Sequence, residues 1–277
     1  MSSTPTNDPR SGGLAYALWT LVKPTTFRPV DPAHAGLAYD SPTRRGVPPL
    51  CDVYLPSGPG PHPSVILVHG GGFVLGHRAM KPVRLLASRL CENGYAVCSV
   101  DYRLLFRGGG LDSQLDDVNK AAAFWLERCE RFDCDPARVS MAGFSAGAAL
   151  MNLHSGRHPR NYQRLVSIYG PSDFEQLQGR RAALMMGLVM GSRDRREWRK
   201  RSPIHSLAPN PMLIVHGTAD QLVPFSHSVR LHEAREAEGL PTELELVEGM
   251  RHGWLNDADL PETHAAVERI LRFLDGT

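Results

Sequence analysis

Several things are missing from this 277-residue sequence, and each absence excludes a class. No apolar run approaches the roughly 18 residues that a bilayer-spanning helix requires, so stable membrane insertion is not expected. The five cysteines, Cys51, Cys91, Cys98, Cys129 and Cys134, are odd in number and form no CxxC pair. That pattern argues against a disulfide framework and against a zinc knuckle. There is no excess of charge of either sign: the formal net charge is +2. A chain so near balance gives no general reason to expect nucleic acid as a partner. The first 13 residues are polar and lack the basic-then-apolar order of a secretory signal, which points to a cytoplasmic protein. No internal repeat of 20 to 50 residues is seen, which leaves out solenoids and propellers.

What is present is an alternation. Cys51–Leu55 has a period of two and reads as a strand ended by Pro56. Ser64–Val68 is a continuous β-branched run, as expected for a strand covered on both faces. Pro82–Asn93 sets Val83, Leu86 and Leu90 on one helical face and stops at Gly94. Further strands are expected at Tyr95–Val100, Arg138–Ala142, Leu165–Tyr169, Met212–Val215 and Thr242–Val247. Helices are expected at Leu115–Glu130, Phe225–Glu238 and Pro261–Leu274. Buried strands alternating with helices make a mostly parallel sheet covered on both faces, one α/β domain using most of the chain. In such sheets reactive residues collect in the loops that follow the strands.

Two stretches break the alternation. Residues 1–45 form an N-terminal extension with a short helix at Leu14–Val22, a candidate cover for a site mouth or a homodimer contact. Residues 171–205 are far longer than an ordinary connection and read as a small cap insertion. The insertion is first apolar (Leu184–Met190) and then basic (Arg193–Arg201). The apolar part suits an acyl pocket or a structural helix, and the basic part a solvated face or a surface for an acidic substrate.

Gly143-Phe-Ser-Ala-Gly147 follows one of these strands and opens a helix. A G-x-S-x-G turn in that context lifts the serine above the sheet edge, which makes Ser145 a candidate nucleophile. His69-Gly-Gly-Gly-Phe73 also follows a strand. Its glycines let backbone N–H groups approach a ligand, and no Gly-Lys-Ser/Thr follows to make it a phosphate loop. A serine nucleophile needs a base, and the base needs an acid to fix its tautomer. His252 lies after the last strand, and Asp220 lies after the strand Met212–Val215. The chain order is therefore Ser, Asp, His. Glu248 and Asp257 are rival acids, near His252 in sequence but not directly after the expected strand.

Taken in order, His69–Phe73, Asp101-Tyr-Arg-Leu104, Gly143–Gly147, Ser202-Pro-Ile-His205, His216-Gly-Thr-Ala-Asp220 and His252-Gly-Trp254 resemble the α/β-hydrolase serine esterases. The likeness is greatest to the bacterial esterase/lipase group near the hormone-sensitive-lipase family and its acetyl-esterase, feruloyl-esterase and kynurenine-formamidase relatives. It covers about residues 48–275. It implies an α/β-hydrolase fold over residues 46–277, a small-molecule ester substrate, and no metal or organic cofactor. It also implies that Ser145, Asp220 and His252 are catalytic and that Gly71, Gly72 and Ala146 supply an oxyanion hole. By the same pattern His69 braces the glycine loop, and Asp101 and Arg103 are structural. Phe144 precedes the serine where the hormone-sensitive-lipase pattern has an acidic residue, so the likeness carries the reaction class rather than the subfamily. Formamide or amide hydrolysis, and silent ligand binding on the same fold, are the alternatives.

Overall fold

A computed structural model describes residues 13–42, 49–177 and 179–277. Its centre is one eight-stranded sheet. In chain order the strands are β1 (His34–Ala38), β2 (Leu50–Tyr54), β3 (His62–Val68), β4 (Ala96–Val100), β5 (Cys134–Phe144), β6 (Leu165–Ile168), β7 (Met212–Gly217) and β8 (Thr242–Val247). Across the sheet they run β1-β2-β4-β3-β5-β6-β7-β8. β2 is antiparallel to both neighbours, and every pair from β4 onward is parallel.

Alternation along β3 explains the two-sided core. Ile66 and Val68 face one side, where they join Leu115 and Val118 of α3 (Leu111–Arg128) and Ala149 and Leu150 of α4 (Ala146–Arg157). Val65 and Leu67 face the other side, with Val83 and Leu86 of α2 (Lys81–Glu92) and Val267 and Ile270 of α8 (Pro261–Asp275). A strand buried on both faces needs apolar residues at successive positions, and Val65, Ile66, Leu67 and Val68 supply them, while the buried Ser64 hydroxyl accepts from Trp125 Nε1 at 2.9 Å.

Most boundaries expected from sequence fall within a few residues of those observed. β5 begins earlier, at Cys134, because that residue pairs with His62 ahead of the main β3 register. α3 also begins earlier, directly after Gly110. β1 is a strand that the sequence does not announce. His-Ala-Gly-Leu-Ala is poor in β-branched residues and carries Gly36 at φ 67°, and the register shifts between His34 and Leu37. Of the N-terminal segment, residues 1–12 and 43–45 lie outside the described residues.

Three further helices shape the end of the sheet where the parallel strands finish. α1 (Gly13–Val22) lies beside the loops after β7 and β8. An added Cβ on Gly13 would sit 3.0 Å from Gln221, and one on Gly253 would sit 3.8 Å from Ala17. α5 (Arg180–Met190) and α6 (Arg195–Lys200) fill the long connection between β6 and β7. α5 buries Met186, Val189 and Met190 in the core and leaves Leu184 and Leu188 exposed. The basic part is anchored at both ends. Asp194 caps α6 through a 2.9 Å bond from Arg196 N, and Arg201 pairs with Asp112. Among the described residues, no helix is long and apolar enough to cross a membrane.

Candidate active site

Ser145 sits between β5 and α4 with φ 51° and ψ −117°. That conformation is costly for a residue with a Cβ, so the surroundings must hold it. They do so by close packing. An added Cβ on Gly143 would lie 2.5 Å from Gly147 O, and one on Gly147 would lie 2.3 Å from the carbonyls of Val68 and His69. Only glycine allows β5, α4 and the end of β3 to approach so closely. Ser145 N donates to Ile168 O at 2.9 Å, which ties the turn to β6.

The loop after β3 lies against the serine: a Cβ on Gly70 would be 3.3 Å from Ser145 Cβ. Gly71 is at φ 119° and Gly72 at φ 61°. Among the described residues no hydrogen bond uses the N–H of Gly71, Gly72 or Ala146. The last of these also opens α4, where helical N–H groups have no intrahelical acceptor. Beneath the loop, His69 is fully buried and stacks on Tyr102 at 4.2 Å. Its Nδ1 donates to Gly70 O at 2.7 Å, and Tyr102 Oη donates to His69 O at 3.1 Å. Burial lowers the His69 pKa to about 4, so it is a neutral brace. Gln114 Nε2 holds the far end of the loop by donating to Phe73 O at 2.9 Å.

Asp220 and His252 come from the loops after β7 and β8. Ser145 Oγ lies 2.9 Å from His252 Nε2, and His252 Nδ1 lies 2.6 Å from Asp220 Oδ2. All three residues are buried, at 9%, 8% and 6% exposure, so water does little to screen their coupling. Asp220 Oδ1 accepts from the N–H groups of Leu222 and Val223, each at 2.9 Å. Burial alone would raise the Asp220 pKa. The charge of His252 and the hydrogen bonds from His216 and His252 outweigh it and hold the carboxyl well below its usual range. Of the rival acids, Asp257 pairs with Lys23 and Glu248 is exposed. Asp101 and Arg103 lie outside this chain of bonds: Asp101 pairs with Arg78, and Arg103 with Asp117.

Two neighbours of the site have places that the sequence reading leaves without a role. His216 lies four residues before Asp220 and shares its carboxylate, with Nε2 3.1 Å from Oδ2. Tyr169, expected only as the end of a strand, turns out of β6 at φ 40° and sets its ring edge-on to His252 at 5.0 Å and to Trp254 at 5.2 Å. Burial, then the charge of Asp220, pushes the Tyr169 phenol well above its usual value. The motif His216–Asp220 carries a signal for the first of these. A positive φ at a tyrosine has no sequence signature.

The BD-FAE family profile matches residues 51–234, more than half of the chain. The chain belongs to the BD-FAE family. Among curated relatives, a probable isoprenylcysteine alpha-carbonyl methylesterase of Oryza sativa is 26% identical over 73% of this chain and 54% of its own length. Esterase LipC of Mycobacterium tuberculosis is 30% identical over 61% of this chain and 47% of its own. The chain thus spans about half the length of these relatives. Among solved structures, a truncated carbohydrate esterase from gut microbiota superposes with TM-score 0.77 at 19% identity, covering 90% of this chain and 98% of its own. Esterase B of Lactobacillus rhamnosis does so with TM-score 0.77 at 19% identity, covering 90% and 88%. At these identities the superpositions establish the α/β-hydrolase fold.

Proposed function

We propose that this BD-FAE family member is a serine hydrolase that cleaves carboxylic esters of small or medium acyl groups through an acyl-enzyme. The observation that carries the reading is the unbroken line from Ser145 Oγ through His252 to Asp220, with unengaged backbone N–H groups beside the serine. Methylesterase and esterase names among the relatives support the same reaction class.

In this mechanism His252 Nε2 takes the Ser145 proton as Oγ attacks the ester carbonyl. The carbonyl π electrons move to oxygen, and the N–H groups of Gly71, Gly72 and Ala146 are placed to receive that charge. Asp220 remains ionised and steadies the imidazolium. Collapse of the intermediate expels the alcohol, which takes the proton from His252. Water then repeats the sequence, with His252 as its base, and releases the acid. The substrate is a small-molecule ester.

The test is hydrolysis of p-nitrophenyl esters from acetyl to decanoyl by wild type and by Ser145→Ala. Wild-type turnover with a short to medium chain optimum is expected, lost by about 10⁴-fold or more in the variant. Equal turnover by the two proteins would end the reading. If neither turns over, fluorophosphonate labelling decides, because a serine without an activating base should not react.

A further inference from the structure

His216 is wholly buried at the end of β7 and faces the side of Asp220 that also faces His252. Its Nε2 lies 2.9 Å from Val223 O and 3.1 Å from Asp220 Oδ2. A backbone carbonyl can only accept, so Nε2 carries a proton and shares it between the two oxygens. Its Nδ1 lies 2.6 Å from Ser228 Oγ on α7 (Ser226–Ala237), where the hydroxyl donates. The ring is thus held in one tautomer from both sides. Asp220 then receives four donors: Leu222 N and Val223 N on Oδ1, and His252 Nδ1 and His216 Nε2 on Oδ2. A carboxylate has about four such positions, so none is left for water or for a rotated side chain.

We infer that His216 is a positioning residue for the proposed reaction. Its N–H fills one lone pair of Asp220 Oδ2 and leaves the other aimed at His252 Nδ1. Ser228 holds His216 in the tautomer that can do this. The orientation of His252 toward Ser145 then depends on a residue that touches neither the serine nor the substrate. The inference rests on the serine-hydrolase reading above.

A pH profile can report on this couple because its other neighbours are otherwise engaged. The titratable and charged groups around it are His227 and Arg230 on α7, and Tyr169 and Asp173 after β6. Burial takes the His227 pKa down to about 4, burial pushes that of Tyr169 up, and Asp173 is paired with Arg230 at 2.8 Å. His216→Leu removes the donor, whereas His216→Gln keeps an N–H at about the same reach.

With p-nitrophenyl butyrate as probe, His216→Leu should lower kcat by about 10- to 100-fold and leave KM within about two-fold. The acid limb of its kcat/KM profile should move to higher pH, because a carboxylate freed of one donor favours the imidazolium more. His216→Gln should recover most of both effects. Ser228→Ala, which keeps the ring but frees its tautomer, should lower kcat less and move the limb the same way. It serves as the test if His216→Leu does not fold. Profiles of the His216→Leu and Ser228→Ala proteins that superpose on wild type after scaling would overturn the inference. So would a Gln variant no better than Leu. Ser145→Ala, assayed alongside, separates the two failures. An active Ser145→Ala removes the serine reading itself, whereas an inactive one keeps that reading and lets the His216 profiles decide the positioning role alone.

Discussion

The two halves of the site are made of different material. The half formed by β3, β5 and the glycine loop is, apart from the Ser145 hydroxyl, backbone: the groups proposed to work there are N–H donors, and its shape comes from glycines that admit carbonyl oxygens where a Cβ would sit. The half formed by the loops after β7 and β8 is side chain: two imidazoles, a carboxylate and a hydroxyl in one buried line. A backbone cradle fails by steric displacement, and its N–H groups do not titrate. A side-chain line fails through a wrong proton or a missing lone pair, and its neighbours set its chemistry. Substitutions in the two halves should therefore leave different kinetic signatures.

The largest difference is expected at the acid. Asp220→Asn keeps the size of the side chain, yet each oxygen of Asp220 accepts two donors, so an amide nitrogen in either place meets N–H groups that it cannot accept. The His252 tautomer loses its anchor, and kcat should fall about 10⁴-fold; the thermal midpoint should fall as well, because buried N–H donors are left without an acceptor. A fall under about ten-fold would show that the side-chain half does not depend on its carboxylate. The glycine half should respond less steeply. An added Cβ on Gly71 would come within 1.9 Å of Leu75 O at a φ of 119°, so Gly71→Ala must displace the loop. Loss of one of the proposed oxyanion donors should lower kcat by about 10²- to 10³-fold. The shape of the pH–rate profile should stay as in wild type, because no titrating group of the line has moved. A shifted profile in Gly71→Ala would break the division between the halves.

The backbone half is easier to read in the sequence than the side-chain half, for a physical reason. Close approach and positive φ both demand glycine, so His69-Gly-Gly-Gly-Phe73 and Gly143–Gly147 print the geometry directly as residue type. The parallel strands are legible for a similar reason, since burial on both faces forces runs such as Ser64–Val68. His216 is visible as a letter in a motif but not as a partner of Asp220, because a turn that brings residue i against residue i+4 outside a helix depends on the path of the chain. β1 escapes a sequence reading because an edge strand needs no apolar pattern, and Gly36 argues locally against one. The packing of α1 on the loops that carry Asp220 and His252 depends on contacts such as Asn256 Nδ2 to Thr20 Oγ1, which no local rule joins across 236 residues.

The smallest expected effect is one of stability, and it too separates the halves. Burial lowers the pKa of His69, under the glycine loop, to about 4, that of His154 on α4 to about 3, and that of His227 on α7 to about 4. Each would titrate at its ordinary 6.5 in the unfolded chain. Their contribution is therefore fully present above 6.5 and is lost as pH falls toward 4, because the unfolded chain takes up protons that the folded one refuses. Asp220 behaves differently: its carboxyl is depressed, so its contribution persists above its ordinary 3.8 and is lost only as pH falls through the lower folded value. Between pH 7 and pH 5 the thermal midpoint should fall by about 5 to 10 °C, driven by the imidazoles and not by the carboxylate. His69→Asn keeps a donor for Gly70 O but has nothing to protonate. Its midpoint should fall with a slope about one third shallower than that of wild type. Parallel slopes would mean that the glycine half takes no part in acid unfolding, and the titrating load would then rest on His154 and His227.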